Sequence, residues 1–116
     1  MSDFKVIDVS PESLRIELGQ HSLDGEAQDL FRFVQPVVEA GHHREITLVG
    51  EDADRVSLEG VAVLMRLLKR AIEADVRFVL VMPHPVVERK LELTGVLDIL
   101  TNPSKGSTSS RSGSSS

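Results

Sequence analysis

The chain reads as an α/β protein, one domain in which helices pack on a mixed sheet of about four strands. Three observations predict this. Short apolar runs typical of strands alternate with stretches of helical spacing. The connections between them are short. The second half repeats strand, helix, strand, helix, the order of right-handed β-α-β crossovers. At 116 residues the chain suits a single compact domain. Only 3% of it is aromatic, so Val, Leu, Ile and Ala must fill the core with the help of four Phe.

Phe4 to Val9 is the first strand, stopped by the turn signal Ser10-Pro11-Glu12. Ser13 to Leu18 alternates polar and apolar residues, which predicts a strand buried on one face, and Gly19 ends it. The two lie close enough to pair as an antiparallel hairpin at a sheet edge. After a loop from Gln20 to Asp24, Leu30, Phe33, Val34, Val37 and Val38 form the inward stripe of a helix. Pro36 sits inside that stripe and predicts a kink or a shortened helix, which Gly41 closes. Glu45 to Val49 is the third strand.

From Gly60 a second helix turns Leu64, Leu67, Leu68, Ala71 and Ile72 inward and Arg66, Lys69, Arg70 and Glu73 outward. Val76 to Met82 is almost unbroken apolar, which predicts a central strand covered on both faces. Pro83-His84-Pro85 breaks the chain before a last helix, from about Val86 to Leu93, with Val87 and Leu91 inside and Gly95 as its stop. Val96 to Leu100 is a final short apolar element. Residues 1–102 thus form the domain. Residues 103–116, rich in Ser and Gly and without an apolar side chain, form a flexible tail.

Composition excludes several functions. A net charge of −5 argues against a nucleic-acid surface. With no Cys, disulfides and thiolate chemistry are out. No signal-peptide pattern and no apolar run of roughly 20 residues appears, so the expectation is a cytoplasmic protein without direct membrane insertion. His42 and His43 are adjacent, their side chains diverge and no third ligand accompanies them; they read as solvated loop residues. Glu51, Asp52 and Asp54 lack the spacing of a calcium loop. No metal or cofactor is expected. No Ser/His/Asp order, catalytic carboxylate pair or glycine-rich phosphate loop is present, so the chain does not read as an enzyme.

The candidate site is the stretch from Arg55 to Leu64. Ser57 can cap the second helix by accepting a hydrogen bond from the amide of Glu59 or Gly60. Glu59 then places a negative charge in the first turn, at the positive end of the helix dipole. Leu58 has no place in the inward stripe. It is either an exposed apolar residue fit for an interface centre or a staple folded back onto the loop. The expected partner-binding surface is Ser57, Leu58, Glu59 and Gly60, bordered by Ser22, Asp24, Asp52 and Asp54.

The order of elements from about Leu14 to Leu100 resembles the STAS domain, the fold of bacterial anti-sigma factor antagonists. The likeness is carried by Val63-Leu64, by Leu67-Leu68-Lys69-Arg70-Ala71 and by the strand Phe78 to Met82. Pro83-His84-Pro85-Val86-Val87 extends it, and Leu91-Glu92-Leu93-Thr94-Gly95-Val96 is its most specific piece. The family usually carries Asp-Ser-Ser-Gly at the helix start and is phosphorylated on the second Ser. That tetrad falls on Ser57-Leu58-Glu59-Gly60, so only the glycine is kept and Glu59 holds the acceptor place. The family's earlier Asp falls on Ser22, and its Asp ending the third strand on Val49.

The resemblance implies a non-catalytic bacterial signalling domain that regulates transcription by binding a protein partner, an anti-sigma factor with serine-kinase character. The alternative it implies is a STAS subunit bound to the ATPase of a lipid or anion transport system, whose members often lack the serine. With an acid at the acceptor place, no phosphorylation is expected there; Ser57 is the alternative acceptor, although its capping role already accounts for it. Glu59 carries one charge where phosphoserine carries about 1.5 to 2. It either holds the domain near the modified state or marks a plain docking module.

Overall fold

The computed structural model describes residues 3–95. In chain order they form β1 (Lys5–Val9), β2 (Ser13–Glu17), α1 (Ala27–Ala40), β3 (Glu45–Val49), α2 (Leu58–Glu73), β4 (Arg77–Val81) and α3 (Pro85–Thr94). The element expected at Val96 to Leu100 and the tail expected at 103–116 lie outside the described residues.

The strands form one mixed sheet in the order β1-β2-β3-β4. β1 and β2 are the antiparallel hairpin, with a register shift between Val6 and Asp8. Its turn is closed by the Ser10 amide donating to the Ser13 carbonyl at 2.8 Å and the Ser13 amide donating to Ser10 Oγ at 3.0 Å. β2, β3 and β4 run parallel and in register. That register aligns two apolar rows across the sheet, Leu14–Ile46–Phe78 and Ile16–Leu48–Leu80. Against them α1 sets Ala27, Leu30, Val34 and Val38, α2 sets Leu64, Leu67 and Ala71, and α3 sets Val87 and Leu91. Each large side chain removed from water in this layer contributes about 1.5–3 kcal/mol, so the matching rows fix the register as well as the fold.

Four expectations need correction. β4 ends the described sheet instead of lying at its centre. Its apolar run arises because Phe78 and Leu80 face the helices while Val79, at 8% exposure, is buried on the other side. Phe33 is 39% exposed and lies outside the core, where its ring packs on Phe4 with centroids 5.5 Å apart. Ile72 is 65% exposed, because α2 is wider than the face the sheet can cover. Pro36 does not shorten α1, which continues to Ala40 and is closed by Gly41 at φ 70. The proline stands on the solvent side, and burial of Val34 and Val38 outweighs the single amide it removes.

Asp3 ties the start of the chain to the loop after β2. Its carboxylate accepts from the His21 amide at 2.8 Å and from the Ser22 hydroxyl at 2.7 Å. Burial pushes the Asp3 carboxyl up, but these hydrogen bonds and the nearby His21 outweigh it and hold the group below its usual value. A carboxyl depressed in the folded state stabilises above its unfolded pKa and loses that contribution as pH falls through the folded one. Wild-type and Asp3→Ala proteins should therefore differ in urea midpoint at neutral pH. The gap should narrow as pH falls through and below the ordinary carboxylate range; a gap that is constant with pH would show that the carboxylate charge is not what the loop binds.

Candidate partner-docking site

Because β2, β3 and β4 are parallel, their C-terminal ends open at one edge of the sheet, where the three following loops meet. The Leu18 amide donates to Val49 O and the Gly50 amide to Val81 O, both at 2.9 Å. The His84 amide donates to Gly50 O at 3.2 Å. Leu23 forms a parallel bridge with Val56, and the Ser57 amide donates to Leu23 O at 3.0 Å. The loop after β2 is thus stitched directly to the start of α2.

Ser57 is the N-cap of α2, in extended conformation, and its Oγ accepts from the Gly60 amide at 3.1 Å. Gly60 is buried in the first turn against the backbone of Leu23. A Cβ at Gly60 would fall on the Leu23 carbonyl, so this turn admits glycine alone. One residue therefore has its amide capped and the space of its missing side chain filled by the Leu23 backbone of the loop after β2. Leu58 stands on the outside at 83% exposure and does not fold back as a staple. Glu59 is also exposed, and its Oε2 accepts from Gln28 Nε2 of α1 at 2.7 Å, which aims the carboxylate from a second element.

The bordering residues separate. Ser22 is fully buried: its Oγ accepts from the Gly19 amide at 2.9 Å while donating to Asp3. It props the loop from beneath and presents no side chain to a partner. Asp24 is half-buried before α1, its carbonyl accepting from the Ala27 amide at 3.2 Å. Asp52 is exposed on the loop after β3. Asp54 is half-buried, with Oδ2 accepting from Gln20 Nε2 at 3.5 Å and Oδ1 buried without a partner. Among the described residues no three His, Asp or Glu side chains gather as metal ligands, and His43 Nδ1 lies 3.1 Å from Ser10 O. No described helix is long and apolar enough to cross a membrane.

The pattern of the sequence pointed to Ser57 to Gly60 but missed Asp3 and Gln28, whose roles depend on contacts between distant segments. A weak signal for the Gly60 contact existed: an isolated glycine inside a helical pattern costs about 1 kcal/mol relative to Ala, which a packing contact can offset.

Residues 5–110 match the STAS domain family. The chain belongs to that family. Its fold is similar to SpoIIAA, an anti-sigma factor antagonist, in unphosphorylated form, with a TM-score of 0.73 and 16% identity over 93% of this chain and 96% of that one. SpoIIAA of Bacillus, a cell fate determinant, in phosphorylated form matches with a TM-score of 0.65 and 18% identity over 84% and 87% of the two chains. The protein TM1081 matches with a TM-score of 0.67 and 25% identity over 88% and 78%. No curated protein matches the sequence.

Replacing an interior helical Gly by Ala ordinarily stabilises by up to about 1 kcal/mol. Here the sign should reverse. Gly60→Ala forces Leu23 and α2 apart and should cost about 1–3 kcal/mol in urea denaturation. A variant as stable as the wild type would show that the two segments do not touch.

Proposed function

We propose that this STAS domain is a non-catalytic regulatory module of the anti-sigma factor antagonist kind, acting in the cytoplasm by docking a protein partner at the start of α2. In this reading it is not switched by phosphorylation at the family's usual position. One observation carries it: Glu59, which the resemblance sets at the acceptor place, stands beside Leu58, an apolar side chain at 83% exposure. An apolar side chain next to an acid, on a turn held rigid by Gly60 and Ser57, suits the centre of an interface. The fold shared with SpoIIAA supports the class of module. Ser57 supports the loss of the switch, because its hydroxyl already caps the helix.

Glu59→Lys removes a favourable dipole contact of about 0.3–1 kcal/mol and the Gln28 bond, so the protein should stay folded. Leu58→Asp changes a side chain that the core does not use. Immobilised on a resin and exposed to source lysate, each variant should lose its partner, with recovery at least about tenfold below wild type. Folded variants that keep every wild-type partner would defeat the reading. Mass spectrometry of the captured protein separates a kinase-like anti-sigma factor from the ATPase of a transport system.

Phosphorylation is a separate test. After incubation with anti-sigma kinases and ATP, the intact mass of the wild-type chain should not change. A stoichiometric gain of one phosphate mapped to Ser57 would restore the switch and reject this part of the proposal.

A further inference from the structure

Three large apolar side chains of α2 face solvent: Leu58 at 83%, Met65 at 44% and Ile72 at 65% exposure. Positions 58, 65 and 72 are spaced by seven, close to two helical turns, so they form one line along the helix with a slow drift. On one side the line sinks through buried Val61 and half-buried Leu68 toward the core. On the other side come Ala62 and Lys69, then Arg66 and Arg70. There α1 and α2 leave a groove of about 360 Å³ lined by Phe31, Arg66, Lys69, Arg70 and Glu73.

The cations of this groove are not equivalent. Arg70 is paired with Glu39 of α1 at 3.2 Å. Arg66 lies over the Phe31 ring, 6.0 Å from its centroid, and like Lys69 it has no carboxylate within ion-pair distance among the described residues. A chain of net charge −5 thus keeps, among the described residues, two cations without a carboxylate partner beside an apolar line on α2, with Glu73 as the acid in the same groove.

We propose that the outer face of α2 is the bed for one amphipathic helix of the partner. That helix is apolar at a seven-residue repeat and carries acidic side chains on the flank that meets Arg66 and Lys69. The proposal rests on the start of α2 being a docking site and extends that site along the helix. Seven-residue spacing is the repeat at which two helices keep their seams in contact, and the flanking charges then select the partner. A second copy of this chain is the competing occupant. The antiparallel register that buries all three apolar residues sets Arg66 beside its own copy, like charge against like, while Glu59 falls equally near Lys69 and Glu73, so self-association is an outcome of the test.

The probe is a synthetic peptide of about 21 residues, three heptads with Leu at the two seam positions and Glu on both flanks, and a twin with Lys for every Glu. Like-charged flanks keep each peptide from pairing with itself. In titrations followed by fluorescence anisotropy, wild type should bind the Glu peptide at least about tenfold more tightly than the Lys twin, and less tightly as salt rises. Arg66→Glu with Lys69→Glu should reverse the preference. Met65→Asp and Ile72→Asp, at exposed positions, should melt like wild type and lose the Glu peptide. Equal binding of the twins, or binding of neither, overturns the proposal. So does a wild-type dimer in light scattering that Ile72→Asp dissolves. If Leu58→Asp and Glu59→Lys lose the captured partner while Met65→Asp and Ile72→Asp retain it, docking at the turn stands and the helical occupant is rejected.

Discussion

The first turn of α2 lies against the backbone of Leu23 with no side chain between them, and the arrangement of the candidate site depends on that contact. Three features meet there. The Ser57 amide bonds to Leu23 O, the Leu23–Val56 bridge aligns the two segments, and the Gly60 amide is capped by Ser57 Oγ. Any side chain at position 60 would lever the helix off the strand-like segment, moving Leu58 and Glu59 with it. A rigid backbone seam is a good support for a docking residue because neither α2 nor the loop before α1 need be ordered when a partner arrives.

If the family's Asp-Ser-Ser-Gly tetrad is placed here as the resemblance implies, this contact gives a physical reason for the one residue of it that the chain keeps. Ser57 bonds locally and Leu58 and Glu59 face outward, so other side chains can occupy those positions without moving the backbone. Position 60 is enclosed. Ser22, which the resemblance sets at the family's earlier Asp, makes the complementary point: its buried hydroxyl is 2.7 Å from the carboxylate of Asp3, which arrives from the start of the chain. An acid is present beneath the loop, but a different segment supplies it.

The electrostatics of α2 divide along its length. Its first turn carries Glu59 under the direction of Gln28, near the acidic loop of Glu51, Asp52 and Asp54 in sequence. Its outer second half carries Arg66, Lys69 and Arg70 together with Glu73, and of the three cations only Arg70 is spent on an ion pair within the described residues. Exposed charges of this kind contribute little to stability, about 0–1 kcal/mol per pair.

By itself the sequence determined the element order, the hairpin, β3 from Glu45 to Val49, the Ser57 cap and the glycine stops at Gly41 and Gly95. These are local matters: period, capping chemistry and a residue able to adopt positive φ are all written within a few positions of one another. The place of β4 at the end of the described sheet was not legible, because an apolar run reports burial on two faces and says nothing about neighbours in the ladder. Nor was the fate of Phe33 and Ile72, whose helical spacing suits the core although the sheet is too narrow to cover them. The His21–Asp3, Ser22–Asp3 and Glu59–Gln28 bonds join residues 18, 19 and 31 positions apart. Such pairings form only after the parallel register has brought the strand ends together, so tertiary structure alone decides which polar side chains are spent inside and which remain to meet a partner.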